Sequence, residues 1–493
     1  MSQQADLASV WTEQSLRDMF SKASDVNIRS FHYKHEEISF SIILVFSEGL
    51  CDSWQIIETV LPELNQQFLE DNFEALLDEQ SIGPLPLKRI EAKQAKEDMI
   101  DAIFDGDLVL VFLEYNSVYK LNMSNRPKRS PEESSTEISI KGPKDGFVED
   151  ITTNIALIRK RIRSTSLCCE SFVLGTRTKT KIGLLYFDDI LSPKILEEVR
   201  ERLNNIDVDG IYSINQLEDE IVDVKYPLFP LLDTTGRPDF VVSGLLAGRF
   251  AIIVDGNPQA LIGPATFGLI LKSPEDMHFS FQYVSFARII RIISFVLALL
   301  LPGLWVALTA FHQDQIPFQF MATIAVSRQG LPLSAQMEMF VLLLLLEIFR
   351  EAGVRLPSSI GQTLTVIGAL VIGDAAIRAG LVSPSVVVVG SITAVMGVTL
   401  VNQTLSTMVS VIRFTLFLIS SIIGMYGLIL GIVLLMFYMS KIHSFGVPYL
   451  SPLSPPNVGD ILRGYLRAPW NKIRYRPKAL HPIDPDHQGE EKE

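Results

Sequence analysis

The pattern of hydrophobic and polar positions divides this chain into two halves. Up to about residue 271, short apolar runs of strand length alternate with amphipathic stretches and polar loops. From about residue 272 to 440, long uncharged stretches predict membrane-spanning helices. The predicted fold is an α/β cytoplasmic region made of two similar mixed-sheet subdomains, followed by an all-α polytopic membrane domain.

The α/β half contains an internal repeat. Residues 38–64 and 181–206 each predict an apolar strand, a loop and an amphipathic helix. Gly106 and Gly248 each precede an apolar strand, a tight turn and a returning strand. The first match has an offset of 140 residues and the second 142, so two separate matches at nearly one offset indicate a duplicated domain.

The predicted boundaries follow from these patterns and from composition. A segment rich in Ser, Pro, Lys and Glu separates the two repeats and predicts a linker. The regions are a polar N-terminal tail (1–27), the first subdomain (28–121), the linker (122–143), the second subdomain (144–271), the membrane domain (272–440) and a basic C-terminal tail (441–493).

Four membrane spans are predicted, at about 289–311, 358–379, 381–403 and 412–438. Residues 334–352 are apolar but carry Glu338, Glu347, Arg350 and Glu351, which predicts an interfacial or re-entrant helix. The alternative is a fifth span, buried among helices, in which Glu347 and Arg350 neutralise each other. No secretory signal is evident, and the basic residues before the first span and in the tail predict both termini on the cytoplasmic side. That placement favours four spans over five.

One predicted span differs from the others in composition. Residues 356–380 are built from glycine, alanine and hydroxyl residues, and their helical projection places six small or polar residues on one side. That stripe predicts either a seam for close helix packing or the wall of a polar passage. Its residues are Gln362, Thr365, Ala369, Gly373, Ala376 and Gly380. On another side of the same helix, Asp374 and Arg378 predict either an ion pair or a charged ring at a pore mouth.

Charge and candidate chemistry narrow the function classes. Residues 1–287 carry a net charge of −17 and residues 288–493 a net charge of +4. Such an acidic soluble half gives no indication of nucleic-acid binding. The three cysteines and seven histidines form no metal-ligand pattern, and neither a nucleotide-binding loop nor a nucleophile elbow is present. We therefore predict no catalytic residues, no metal, no cofactor and no enzyme activity.

Four collinear blocks carry a specific resemblance. The blocks 141–163, 236–256, 317–332 and 347–384 resemble the GerA family of spore germinant receptors, specifically its A subunit. The resemblance extends from about residue 38 to residue 452 and follows the family's order of a two-part hydrophilic domain, a membrane domain and a short hydrophilic C-terminus.

This resemblance implies a function and partners. It implies a multi-pass protein of the spore inner membrane that works with a transporter-like B subunit and a lipoprotein C subunit to sense small nutrients. It also implies self-association, as a pentameric ring, into a ligand-gated ion channel, surrounded by membrane lipids. A non-conducting scaffold subunit and a transporter-like permease stay open as alternatives.

Overall fold

The computed structural model describes residues 11–35, 38–71, 73, 85–90, 95–124, 137, 139–354, 373–456, 458–469 and 473–487. The chain divides into two compact units. The first contains both repeats together with residues 473–487. The second contains residues 226–231 and 265–469.

Each repeat is built on a five-stranded sheet. In the first repeat the order across the sheet is β1-β2-β4-β5-β3. Its strands are β1 Val26–His35, β2 Ile38–Ser47, β3 Lys88–Arg89, β4 Leu108–Phe112 and β5 Ser117–Leu121.

The second repeat has the same topology, with the order β6-β7-β9-β10-β8. Its strands are β6 Leu167–Leu174, β7 Thr180–Phe187, β8 Asp233–Thr235, β9 Phe250–Val254 and β10 Ala260–Gly263. The predicted pair of similar α/β subdomains is confirmed. One detail is corrected: pairings between named strands are antiparallel in both sheets, where mixed pairing was predicted. Hairpins and returning strands, which both repeats contain, generate antiparallel neighbours.

The strand register makes the repeats superimposable residue by residue. Leu44 lies opposite Arg29 on one side and Leu110 on the other. In the second sheet, Leu184 lies opposite Glu170 and Ile252. Arg29 and Glu170 therefore occupy the same position in the two repeats, as do Leu110 and Ile252.

Helices cover both faces of the first sheet, which explains its continuous apolar strands. All five residues of β4 are fully buried. One face packs on the helical segment that begins at Ser53, and the other on Glu13–Met19 and Ala95–Phe104. The helices of this unit are α1 Glu13–Met19, α2 Ser53–Gln55, α3 Leu61–Asp71, α4 Ala95–Phe104, α5 Ile151–Arg159, α6 Pro193–Asn204, α7 Ile214–Ile221 and α8 Pro238–Leu246, with a π-helical turn, Ile56–Val60, before α3.

The C-terminal tail also belongs to this unit. The Arg476 Nε donates to the Leu246 carbonyl at 2.9 Å, and the Ile483 N–H donates to the Ile190 carbonyl at 2.9 Å. Residues 473–487 thus pack on the second repeat, although sequence reasoning placed them in a basic tail. The pairing partners lie more than 200 residues away in sequence, so no local pattern could reveal them.

The second unit is mainly helical. Its helices are α9 Phe267–Ile270, α10 Phe281–Val306, α11 Phe318–Ser327, α12 Ala335–Val354, α13 Pro384–Val398, α14 Gln403–Ile423, α15 Met425–Lys441 and α16 Val458–Tyr465, and a π-helical turn, Ala307–Phe311, extends α10. A two-stranded hairpin, β11 His443–Ser444 and β12 Val447–Pro448, follows α15. Among the described residues, two helical stretches are long and apolar enough to cross a membrane, Phe281–Phe311 and Gln403–Ile423.

Gly424 interrupts the stretch 412–438, which was predicted to form one span. Its φ of 69° and ψ of −145° place it in a backbone region that is essentially restricted to glycine, and α14 ends there as α15 begins. A Cβ on Gly431 would lie 2.4 Å from Leu416, so α15 folds back closely along α14. The predicted single helix is therefore a helical hairpin, because the chain reverses at Gly424.

Candidate functional site: polar groups among the apolar helices

The predicted small-residue stripe lies partly outside the described residues. That part includes Gln362, Thr365 and Ala369, together with most of the predicted span 358–379. The described residues Gly373 and Ala376 are both buried. A Cβ on Gly373 would lie 3.5 Å from Val387 of α13, so this end of the stripe packs against a helix of the same chain. That contact favours the packing interpretation for Gly373.

Gly380 serves to end a helix. Residues 373–378 are helical, and Gly380 has a φ of 64°, in the left-handed region. The Gly380 N–H donates to the Ile377 carbonyl at 3.0 Å and the Leu381 N–H donates to the Ala376 carbonyl at 3.0 Å. These two bonds form a Schellman motif. The projection that placed Gly380 on the stripe assumed a continuous helix, and it does not hold at this residue.

Asp374 and Arg378 form an ion pair on the exposed side of the same helix. Their Oδ2 and Nε atoms are 2.9 Å apart, and their side chains are 58% and 79% exposed. An exposed pair one helical turn apart contributes little to stability, about 0.3–0.5 kcal/mol.

A larger polar cluster joins α12 to α14. Glu347 and Arg350 are ion-paired on α12, and Arg413 of α14 reaches Glu347 at 3.3 Å. The Ser410 hydroxyl accepts from Arg350 at 2.9 Å and from Arg413 at 3.1 Å. Sequence reasoning identified Glu347 and Arg350 but missed Arg413 and Ser410.

The charge balance of this cluster is unusual. Two arginines share the one carboxylate of Glu347, and the Arg413 side chain is only 7% exposed. The Arg413 Nε is buried and has no hydrogen-bond partner among the residues that the structure describes. Because a buried charge is costly among apolar helices, such a cluster is typical of a functional position.

Another carboxylate of α12, nine residues before the partly exposed Glu347, is buried. Glu338 is fully buried and accepts from the Ser383 N–H at 2.9 Å, from the Ser383 hydroxyl at 2.7 Å and from the Arg328 Nε at 3.1 Å. Ser383 is the N-cap residue of α13, so Glu338 ties α12 to the start of α13. The only sequence signal was a glutamate interrupting an apolar helix.

A third cluster lies before the first apolar helix. Asp276 lies 2.9 Å from both Arg288 and Arg291, the arginines that mark the predicted inner end of α10. Burial alone would raise the pKa of Asp276, but the two guanidinium groups outweigh burial and hold this pKa below its ordinary value. Across the described part of the chain, no three His, Cys, Asp or Glu residues come together as a metal site would require.

Comparisons with known proteins agree with one family. The family model described as Bacillus/Clostridium GerA spore germination protein matches residues 14–479. The chain is 38% identical over 472 residues to spore germination protein XA of Bacillus anthracis, covering 96% of each chain. It is 35% identical over 471 residues to spore germination protein KA of Bacillus subtilis (strain 168), covering 95% of this chain and 86% of that protein.

One solved structure is also similar. It is the crystal structure of the N-terminal domain of the A subunit of the Bacillus megaterium spore germinant receptor GerK3, at 29% identity and a TM-score of 0.38. The match covers 52% of this chain and 93% of that chain. With the family match spanning nearly all of the sequence, this chain belongs to the GerA family of spore germination proteins.

Proposed function

We propose that this chain is the A subunit of a receptor for small nutrients, and that it triggers spore germination as a ligand-gated ion channel. It works with a transporter-like B subunit and a lipoprotein C subunit in the spore inner membrane. Copies of the chain assemble in a ring, which we take to be pentameric. Family membership supports the receptor role.

The observation that carries the channel proposal is the Glu347–Arg350–Arg413 cluster. These charges lie between two long, mainly hydrophobic helices, and Arg413 is nearly fully buried. Charged side chains at such positions mark ion pathways and gating elements in membrane proteins. Rearrangement of this cluster would change the charge presented to a passage without unfolding either helix.

The helical unit also has surfaces suited to lipid or to a second copy. On α13, three valines are exposed by more than half: Val388, Val395 and Val398. Exposed apolar patches of this kind mark interaction surfaces. A ring of copies would bury part of this surface and leave the rest against lipid.

The topology that we propose has six crossings instead of four. Val306, Met339 and Val386 share one buried cluster, so α10 ends where α12 and α13 begin. The six crossings are α10, α12, the predicted span 358–379, α13, α14 and α15. The hairpin at Gly424 makes α14 and α15 two separate crossings. Six crossings keep both termini on the cytoplasmic side, as the basic flanking residues require. Residues 334–352, predicted to form an interfacial or re-entrant helix with a buried span as the alternative, then belong to a crossing helix.

A liposome experiment tests conduction. We expect the purified oligomer to conduct K⁺ across liposomes. Thr365→Val should reduce that flux, because we propose that the stripe residue Thr365 lines the passage, and the substitution removes its hydroxyl while keeping the side-chain shape. Thr415→Val is the matched control, since Thr415 lies on the exposed side of α14 and its hydroxyl donates to the Val411 carbonyl of the same helix.

The scaffold alternative makes a different prediction. A non-conducting scaffold subunit would give no flux in the wild-type oligomer, although it would still bind its B and C partners. Equal flux in Thr365→Val and Thr415→Val would show that the stripe does not line the passage.

A further inference from the structure

A groove of about 170 Å³ lies at the outer edge of the first repeat. It opens between the edge strand β1 and the helical segment that starts at Ser53. Its apolar wall is formed by Phe31, Leu44, Phe46, Ile56, Ile57 and Leu61. Four polar side chains complete it: Asn27, Arg29, Glu48 and Ser53.

The two charged groups of the groove do not neutralise each other. The Asn27 Nδ2 donates to the Glu48 Oε2 at 3.4 Å. Arg29 is exposed and has no hydrogen-bond or ion-pair partner within the part of the chain that the structure describes. The groove therefore offers a free guanidinium beside an apolar wall.

At the position equivalent to Arg29, the second repeat has a charged side chain that is paired within the chain. Glu170 occupies the position of Arg29, and Arg200 of α6 binds it through Nε at 3.0 Å. The Tyr186 hydroxyl donates to Glu170 and accepts from the Arg200 Nη2 at 2.8 Å. Burial raises the pKa of Glu170, but the bonds from Arg200 and Tyr186 outweigh it and leave this pKa below its ordinary value. This carboxylate is satisfied internally.

The first repeat lacks such a partner for its charged group. Where α6 presents Arg200 in the second repeat, the helical segment of the first repeat presents Ile57 and Leu61 to the groove, and Phe46 replaces Tyr186. These side chains are apolar, so none of them can pair with Arg29. The charge on the edge strand is reversed, and its counter-ion is missing.

We propose that this groove binds a small carboxylate with a compact apolar body. The carboxylate takes the planar guanidinium of Arg29, and the apolar body lies against Leu44, Phe46 and Ile57. A ligand that also carries an ammonium group can pair with Glu48.

The size of the groove sets an upper limit on the ligand. Drug-sized and nucleotide-sized ligands need pockets of about 300 Å³ or more. Molecules of the size of leucine or 4-methylvalerate match the groove.

Binding is tested on the full chain in lipid nanodiscs, without any measurement of ion flux, so a failed channel proposal would leave this result untouched. Equilibrium dialysis with 4-methylvalerate, L-leucine and L-leucinamide compares the carboxylate, the zwitterion and the neutralised carboxyl. We expect saturable binding of the two carboxylates, at least equal affinity for L-leucine, and about fivefold weaker binding of L-leucinamide.

Two variants locate the site. Arg29→Gln is expected to weaken L-leucine binding about fivefold, since an exposed ion pair contributes up to roughly 1 kcal/mol. Ile57→Trp, at a half-exposed wall position, is expected to abolish binding by filling the groove. Arg177→Gln removes an exposed arginine of the second repeat and should leave binding unchanged. Absence of saturable binding by the wild type, or equal binding by wild type and Arg29→Gln, would overturn the proposal.

Discussion

Arg159 binds both carboxylate oxygens of Asp25 and so joins the two repeats. The Nε–Oδ2 distance is 2.7 Å and the Nη2–Oδ1 distance is 2.8 Å, and both side chains are buried. Arg159 lies at the end of α5 in the second repeat, whereas Asp25 directly precedes β1 in the first. The ring of Phe104 lies 4.6 Å from the guanidinium carbon and covers it. This bidentate ion pair couples the repeats together with the backbone hydrogen bonds of Cys169 to Lys22 and Ser24.

Breaking this pair should destabilise the contact between the repeats strongly. Arg159→Met leaves Asp25 as an unpaired buried charge, which costs about 3–5 kcal/mol. Hydrogen exchange of the full chain in nanodiscs should show lost protection in β1 and β6. Arg17→Met, which breaks the exposed pair Glu13–Arg17, is the control and should cost under about 1 kcal/mol. Equal effects of the two variants would contradict the coupling role.

Glu218 should make stability depend on pH. Burial, with help from the neighbouring Asp219, raises the pKa of Glu218 to about 7. Between the unfolded pKa near 4.5 and this value, the folded state holds the proton and the unfolded state does not. Stability should therefore fall as pH rises from about 4.5 to 7, by on the order of 1–3 kcal/mol, and then level off.

Glu218→Gln should remove this slope, because glutamine does not titrate. The slope is measured by urea unfolding at several pH values, with hydrogen exchange of α7 as the probe of unfolding. Asp219→Asn is the neighbouring control and should reduce the slope without removing it. A slope that persists unchanged in Glu218→Gln would exclude this residue as its source.

Gly424→Ala should disrupt the helical hairpin. A Cβ there would meet the Phe311 ring at 2.9 Å and would also strain the backbone. Gly330→Ala is the control for strain alone, because its φ is 82° and a Cβ meets nothing within 4 Å. We expect thermal unfolding in nanodiscs to show a larger loss for Gly424→Ala, which adds on the order of 1–3 kcal/mol of overpacking. Equal losses of stability would mean that the Phe311 ring moves aside at little cost, which would contradict the prediction.

Glu338 should stabilise the folded chain through its hydrogen bonds. Glu338→Ala leaves the Ser383 N–H and hydroxyl without their acceptor, and we expect a loss of about 1–3 kcal/mol. Glu338→Gln keeps one acceptor oxygen and should lose less. Thermal unfolding of both variants in nanodiscs compares them, and an order of loss opposite to this one would refute the assignment.

Gly373→Leu should obstruct assembly or conduction. The Cβ of an alanine would lie in ordinary contact with Val387, so Gly373→Ala is a tolerated control, whereas leucine needs space that α13 occupies. Size-exclusion chromatography and liposome flux measure the two outcomes. Wild-type assembly and flux in Gly373→Leu would remove Gly373 from any packing seam.

The local patterns of the sequence were sufficient to predict the repeated domain. Alternating and continuous apolar runs marked β2, β4, β7 and β9, and the turn at Asp255–Gly256 marked the hairpin between β9 and β10. These signals are local, because side-chain periodicity and turn chemistry depend on residues close together in the chain. The uncharged run of α10 after Arg291 was equally visible, whereas α14, which contains Arg413, extends across the gap between the predicted spans 381–403 and 412–438.

The tertiary structure decided what each of these elements packs against. Arg159 lies 134 residues from Asp25, and Arg413 lies 66 residues from Glu347, so no local spacing linked them. From the sequence, Gly424 was compatible with either a kink or a reversal of the helix. Its backbone conformation in the structure reverses the chain. Sequence periodicity by itself determined which runs form the strands of the repeats; only the folded chain brought a particular partner to each charge, because long-range contacts depend on how the elements pack together.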